Sequence, residues 1–498
     1  MEVKAIFKKI ESGNRPANLI LLSILILAGI LRLFRLSYQS LWLDEVLTVI
    51  WSQLNSVGQI ISTLSVSDNS PPLYYIFLHF WMKLGADEFI LRLPSAIAGL
   101  ITVFFVYKIG ELVYSKKAGL IGAFLISIAP MFIWISQEAR MYSFLAMFSL
   151  VSFYYFIKAT RENSTSTWAK YAFISVLALY THYFAIFTFF AEFVYFLVNI
   201  KRFKLLKVKY FITLGVILLV YIPCIWFMLK QVSSSARLHQ GLFSPTAWAI
   251  PHTFFELSVG YSLAIIELSN FSKNLPYNLT VLLFSGAIFS ILFLYGLIWA
   301  IRFKKVLGII LCYLLIPVLV SYVVSFKIHV FGAKYLVGAA GAYFLILTFG
   351  LLNLKNRPLK VVLFAWLIAV HCFSLSNYYF NDNYAKGPWR DVAKLLESNA
   401  QKDDVILFVT GNTPVALEYY YRGGSRVVKS LKVAEAGIGA KLAGAKRVWF
   451  IPDMENIFDP TNLTRRYLDN SWVVQTRYQV RSMPVILYSI KTEGGNSD

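Results

Sequence analysis

Residues Ala17 to Leu36 read ANLILLSILILAGILRLFRL, and a few positions later the chain reads Leu41-Trp42-Leu43-Asp44-Glu45. A helix of that first length rises about 30 Å, the thickness of a bilayer's hydrocarbon core. The run follows a basic start (Lys4, Lys8, Lys9, Arg15). It is too long for the apolar part of a signal peptide, and no small-residue cleavage site comes after it. An uncleaved first membrane span is expected, with Asp44 and Glu45 at its far edge.

The composition extends this reading to most of the chain. Only 15% of the 498 residues are charged and 58% are apolar or aromatic, against about a quarter charged in a soluble globular protein. The net charge of +21 is uneven: residues 1–381 carry +18 and residues 382–498 only +3. The excess sits in short clusters between apolar runs, such as Lys201, Arg202, Lys204, Lys207 and Lys209. That pattern suits cytoplasmic loops facing anionic lipid and argues against a nucleic-acid partner. Cys224, Cys312 and Cys372 all lie in apolar runs, which leaves no disulfide framework and no cysteine zinc site.

Apolar runs fall at 17–36, 89–113, 118–136, 139–158, 210–229, 279–301, 306–326, 333–352 and 361–379, with two shorter ones at 168–182 and 184–200. The stretch Pro71 to Leu84 is only 14 residues long, opens with two prolines and holds His79 and Lys83. It is expected to lie in the interface or re-enter. Counting about eleven spans with the N-terminus inside puts 21 Lys and Arg on the cytoplasmic side and 10 outside. A span at 71–84 would turn the 201–209 cluster outward, against the positive-inside rule. The expected architecture is an α-helical polytopic membrane domain (1–380) followed by a soluble extracytoplasmic α/β domain (381–498). In that tail, 405–409, 448–451, 473–474 and 485–490 read as strands, and 389–399 and 414–422 as helices.

Four polar stretches fall on one membrane face under this assignment. Asp44 and Glu45 suit a sheltered general base for a hydroxyl, or equally an acidic pair complementing a helix dipole. Ser136 to Tyr142 holds Glu138 and Arg140, which also fit a solvated turn. His182, in Tyr180-Thr181-His182-Tyr183, fits a hydrogen-bonded structural residue as well as a site residue. Lys327, His329 and Lys334 fit snorkelling interfacial side chains as well as ligands. Phe243, Trp248 and Tyr261 fit ring-stacking ligands as well as interfacial anchors. Taken together, carboxylates, Arg, His and Lys at one lipid–water boundary suit a reaction that activates a hydroxyl and expels a lipid-borne phosphate.

These residues resemble a known family. Leu41-Trp42-Leu43-Asp44-Glu45 looks like the first-loop motif of GT-C membrane glycosyltransferases. Within that class the chain is similar to prokaryotic relatives of protein O-mannosyltransferases and lipid A aminoarabinose transferases (glycosyltransferase family 39-like). Asp68-Asn69-Ser70-Pro71-Pro72-Leu73-Tyr74-Tyr75 with Arg92-Leu93-Pro94-Ser95-Ala96 looks like the next block, and Ser136 to Tyr142 and Tyr180 to Tyr183 like further ones. Trp389-Arg390-Asp391-Val392-Ala393 resembles the opening of the external domain that often follows. One block departs: an expected Arg-Tyr-Leu, followed by proline, reads Lys334-Tyr335-Leu336 with no nearby proline, and lysine lacks the guanidinium's bidentate fork.

The resemblance implies transfer of one sugar from a polyprenyl-phosphate donor to a hydroxyl of a lipid, glycan or protein. Transfer would occur on the outer face of the cell membrane, usually with inversion. It makes Asp44 the expected base with Glu45 as neighbour or substitute, and Arg140, His182, Lys334 and Lys327 the expected phosphate ligands. Trp42, Asp68, Tyr74, Arg92, Glu138, Tyr142, Tyr183 and Tyr335 would shape the cavity. Asp44, Glu45, Glu138 and His182 are hard or borderline metal ligands, but no spacing demands a metal and no cofactor is expected. The alternatives are a lipid-linked-sugar transporter or flippase, a ligase or polymerase using an oligosaccharide-lipid donor, and a scaffold with an inactive membrane domain.

Overall fold

Side-chain caps set where the apolar helices begin. Asp87 accepts from the Phe89 and Ile90 amides at 3.0 and 3.1 Å, opening the helix Glu88–Val113. Ser115 accepts from the Ala118 amide at 3.2 Å and opens Lys116–Ser127. Each cap satisfies an amide that the first helical turn leaves without a partner.

The computed structural model describes residues 15–234, 245–261, 275–302, 304–328, 331–409, 414–429 and 435–491. They form two compact units, one within residues 1–36 and 51–378 and one within residues 37–50 and 379–498. In the first unit, eight helices among the described residues are long and apolar enough to cross a bilayer. A ninth span forms if Lys116–Ser127 and Pro130–Ser136, bent by 63° at Pro130, count as one. The protein is a multi-pass membrane protein. All eleven apolar runs of the sequence lie on helices, but Thr165–Thr181 and Ala185–Val198 hold only 17 and 14 residues. The stretch at 71–84 forms Leu73–Trp81 and a 3-10 turn, Met82–Leu84, far short of the roughly 20 residues a crossing needs.

Helix Ala333–Asn353 is the axis of this unit and is buried along almost its whole length. With no water to drive helices together, close backbone approach must supply the packing, and small residues permit it. A Cβ on Gly350 would lie 2.3 Å from the Leu292 carbonyl oxygen, and one on Gly296 would lie 2.1 Å from that of Ile346. The helices Leu275–Arg302 and Ala333–Asn353 therefore touch backbone to backbone there.

The second unit holds a five-stranded sheet. Strands β1 (Val405–Phe408), β2 (Arg426–Lys429), β3 (Arg447–Ile451), β4 (Trp472–Val480) and β5 (Met483–Ile490) run in the order β2-β1-β3-β5-β4. The first three are parallel, and β5 and β4 are antiparallel additions. All four residues of β1 are buried, as a parallel strand covered on both faces requires. Helices Trp389–Asn399, Pro414–Tyr420, Glu435–Lys441 and Leu463–Ser471 accompany the sheet. Sequence periodicity had no hold on β2, whose four residues carry two charges.

Asp404, just before β1, joins two strands. It accepts from Arg447 at 2.9 and 2.6 Å and from the Trp449 indole at 2.8 Å. Burial alone would raise its carboxyl, but the Arg447, Gln401 and Trp449 hydrogen bonds hold it below the ordinary aspartate range. A folded-state pKa below the unfolded value of about 3.9 contributes stability above that pH and loses it as pH falls. Asp404→Asn should therefore destabilise the sheet by about 3 kcal/mol at neutral pH. Limited proteolysis of residues 379–498 should show the difference shrinking below about pH 4.

Candidate functional site

The turn from Ser136 to Tyr142 is built around one amide. Gln137 donates to the Arg32 and Phe34 carbonyls at 2.9 and 2.8 Å, and its own oxygen accepts from the Tyr378 hydroxyl at 2.9 Å. The first helix, the last helix and the turn are thereby joined. Ser95 donates to the Arg140 carbonyl at 3.3 Å, which adds the Glu88–Val113 helix. Glu138 is fully buried and Arg140 nearly so.

Arg140 donates to the Tyr75 hydroxyl at 3.3 Å, and Tyr75 in turn donates to Asp68. Burial, with the Asp68 charge behind it, drives the Tyr75 phenol well above its ordinary range, so it stays neutral. Tyr74 packs edge-on against Tyr75 and Phe144. On the other side the Arg140 guanidinium lies 5.8 Å from the Tyr142 ring centre. The Lys334 ammonium lies 5.6 Å from Tyr142 and 5.1 Å from Tyr335. Two cations thus stand against one tyrosine ring.

His182 belongs to the same cluster, with its ring 5.7 Å from Tyr142 and 6.0 Å from Tyr335. It sits in the turn between Thr165–Thr181 and Ala185–Val198. Burial, then the charges of Arg140 and Lys334, push its pKa down to about 3. The ring is neutral at any ordinary pH. Its Nδ1 accepts the Phe184 amide hydrogen at 3.1 Å, which assigns the ring hydrogen to Nε2, a neutral donor. Phe184 stacks on Tyr335 with centroids 4.9 Å apart.

A cavity of about 210 Å³ adjoins Lys334 and Tyr335. His252, Glu256, Tyr261 and Phe331 complete its main walls. Glu256 lies 3.6 Å from His252, and burial raises its carboxyl. Aromatic faces with a few convergent polar groups are the usual lining of a small-molecule site.

The structure gathers Asp68, Tyr74, Glu138, Arg140, Tyr142, His182, Lys334 and Tyr335 within the membrane unit. Tyr183 is tied instead to Gln231 at 2.5 Å, and Gln231 reaches the Leu64 and Ser70 carbonyls at 2.9 and 3.1 Å. Arg92 donates to the Leu36 carbonyl at 2.9 Å, a brace for the chain leaving the first helix. Lys327 is exposed at the end of its helix. His329 and Phe243 lie outside the described residues. Trp42, Asp44 and Glu45 belong to the second unit. Tyr75 stands in the quoted Asp68–Tyr75 block without a role of its own there, and Glu256 and His252 went unnoticed in the sequence. Only the apolar spacing of Ala249–Val259, a helix of 11 residues, could have drawn attention to the last two.

Residues 69–227 match the model of a family described as dolichyl-phosphate-mannose-protein mannosyltransferase. No curated protein sequence matches the chain. Among solved structures, the chain is similar to apo ArnT from Cupriavidus metallidurans, with a TM-score of 0.58 and 12% identity over 96% of this chain and 99% of that one. ArnT bound to undecaprenyl phosphate gives 0.51 and 14% over the same shares. The Archaeoglobus fulgidus oligosaccharyltransferase AglB, solved with an inhibitory peptide and a dolichol-phosphate, gives 0.54 and 15% over 95% of this chain and 74% of that one. The chain has the GT-C fold.

In this GT-C bundle the Gln137 amide has a measurable weight. Gln137→Leu keeps the side chain's bulk and removes its hydrogen bonds to the Arg32 and Phe34 carbonyls and from the Tyr378 hydroxyl, each contributing about 0.5–1.5 kcal/mol. The variant should unfold at a lower temperature in detergent micelles than the wild type, and Tyr378→Phe should lower it less.

Proposed function

We propose that this protein is a membrane glycosyltransferase that moves a single sugar from a polyprenyl-phosphate donor to a hydroxyl acceptor, with inversion at the anomeric carbon. The observation that carries the reading is the pairing of Arg140 and Lys334 over Tyr142, with a neutral His182 beside them. Two cations and a neutral donor at one place suit a lipid phosphate, whose charge grows as the glycosyl bond breaks. The polyprenyl phosphates held by ArnT and AglB support the same donor class.

The acceptor oxygen attacks the anomeric carbon, and its proton passes to the Asp44 carboxylate. The bond from that carbon to the phosphate oxygen breaks, and the electron pair leaves with the polyprenyl phosphate. A single displacement inverts the centre. Asp44 suits the base better than Glu45, because Asp44 is half-buried while Glu45 is wholly buried and ion-paired to Lys386 at 3.0 Å. The excess of Lys and Arg in the loops assigned to the inside supports a cytoplasmic N-terminus and an extracytoplasmic C-terminal domain.

Release of polyprenyl phosphate from radiolabelled polyprenyl-phosphate hexoses and pentoses, in the presence of a membrane extract, tests the reading. Asp44→Asn should lower turnover by about 10²–10⁴-fold, the usual share of a general base, in a protein that still inserts. Near-normal turnover would remove Asp44 from that role. Arg140→Ala should weaken binding of polyprenyl phosphate by about 10–100-fold, the loss of a charged hydrogen bond. Unchanged affinity would take Arg140 away from the phosphate.

A further inference from the structure

The helix that carries Asp44, Leu43–Ser52, is held from a distant part of the chain. Glu45 at its first turn is fully buried, and its carboxylate accepts the Trp42 amide at 3.4 Å. A glutamate three positions into a helix that reaches back to the amide just before it caps that end. Trp42 offers no hydroxyl to cap in return, so the glutamate works without the usual partner. A carboxylate withdrawn this far from water is tolerated only if a cation joins it. Lys386, 341 residues on, does so at 3.0 Å with its own side chain only 9% exposed.

The surrounding contacts repeat the theme within the same unit. The Lys386 amide donates to the Gln39 side chain at 3.3 Å. The Arg390 amide donates to Ser40 at 3.1 Å and its guanidinium to the Tyr38 carbonyl at 2.9 Å. The Leu41 amide donates to the Tyr420 hydroxyl at 2.8 Å. Arg481 lies 4.4 Å from the Tyr38 ring centre and is itself paired with Asp391 at 2.8 Å. Of these tail residues, Lys386 meets the cap of the Asp44 helix, and the others hold the chain before it.

We infer that Lys386 is a positioning residue: its ion pair with Glu45 fixes the helix end on which Asp44 sits, so the segment after the last span controls the base without touching substrate. The inference rests on the proposed role of Asp44. The segment following the membrane domain would then be needed for turnover rather than for docking alone.

The test uses the full chain in nanodiscs and three variants: Lys386→Met, Lys386→Arg and Glu45→Gln/Lys386→Met. In Lys386→Met, amide hydrogen exchange across 42–48 should rise about tenfold while 88–113 is unchanged. Its kcat should fall by about 10²-fold, the cost of a misplaced catalytic group, with the KM for the polyprenyl-phosphate sugar held. Lys386→Arg should recover most of both. The double variant, which strands no charge, should fall between Lys386→Met and wild type in exchange. If Lys386→Met does not assemble, the double variant decides, and wild-type protection at 42–48 in it would overturn the inference. So would unchanged exchange or unchanged kcat in Lys386→Met, or a failure of Lys386→Arg to rescue. A wild type without turnover whose 42–48 protection still depends on Lys386 would keep the anchor and sink the glycosyl-transfer reading instead.

Discussion

The amide of Gln137 is the point on which the membrane unit depends. Lipid offers no water to a chain end, so every carbonyl released where a helix stops must find a donor inside the protein. The first helix ends at Leu33, and the carbonyls of Arg32 and Phe34 meet the two hydrogens of one glutamine side chain. The same side chain takes the Tyr378 hydroxyl from the last helix. Three elements remote in sequence therefore share one side chain, and that side chain lies three residues before Arg140. Fixing the turn fixes the guanidinium. The bend at Pro130 serves the same end, because a straight helix through 116–136 would carry Gln137 along its axis instead of across the bundle.

Much of this was legible from residues alone. The apolar runs announce helices by length, and Asp44, Arg140, His182 and Lys334 stand out because ionisable groups at a membrane edge need partners or a task. Three things were not legible, each for a physical reason. Strand β2 is short, with its first residue exposed and the rest half-buried, so no apolar alternation marks it. The 10-residue helix bearing Asp44 clusters with the tail and not with the span before it, because Lys386 holds its first turn and Arg390 and Tyr420 hold the chain just before it, all more than 300 residues downstream. Sequence spacing carries no trace of such a pairing. Tyr75 reads as one more aromatic in an aromatic stretch, and only its place between Arg140 and Asp68 gives it a role.

The balance of charge around Tyr142 explains why these residue types stand together. Lys334 is the second residue of helix Ala333–Asn353, the end where the helix dipole is positive and a cation is least welcome. Two features offset that cost. The rings of Tyr142 and Tyr335 present their negative faces to the ammonium, an interaction that strengthens as water is removed. His182 yields its proton rather than become a third cation, so it remains a donor without adding repulsion. Asp68 reaches Arg140 through the neutral Tyr75 hydroxyl, which transmits hydrogen bonding with less neutralisation than a direct ion pair. The helix end, Lys334 and Arg140 then add their positive fields at one place. Such a place is expensive to maintain in a protein and favourable for an anion that brings its own lipid tail, as the proposed donor does.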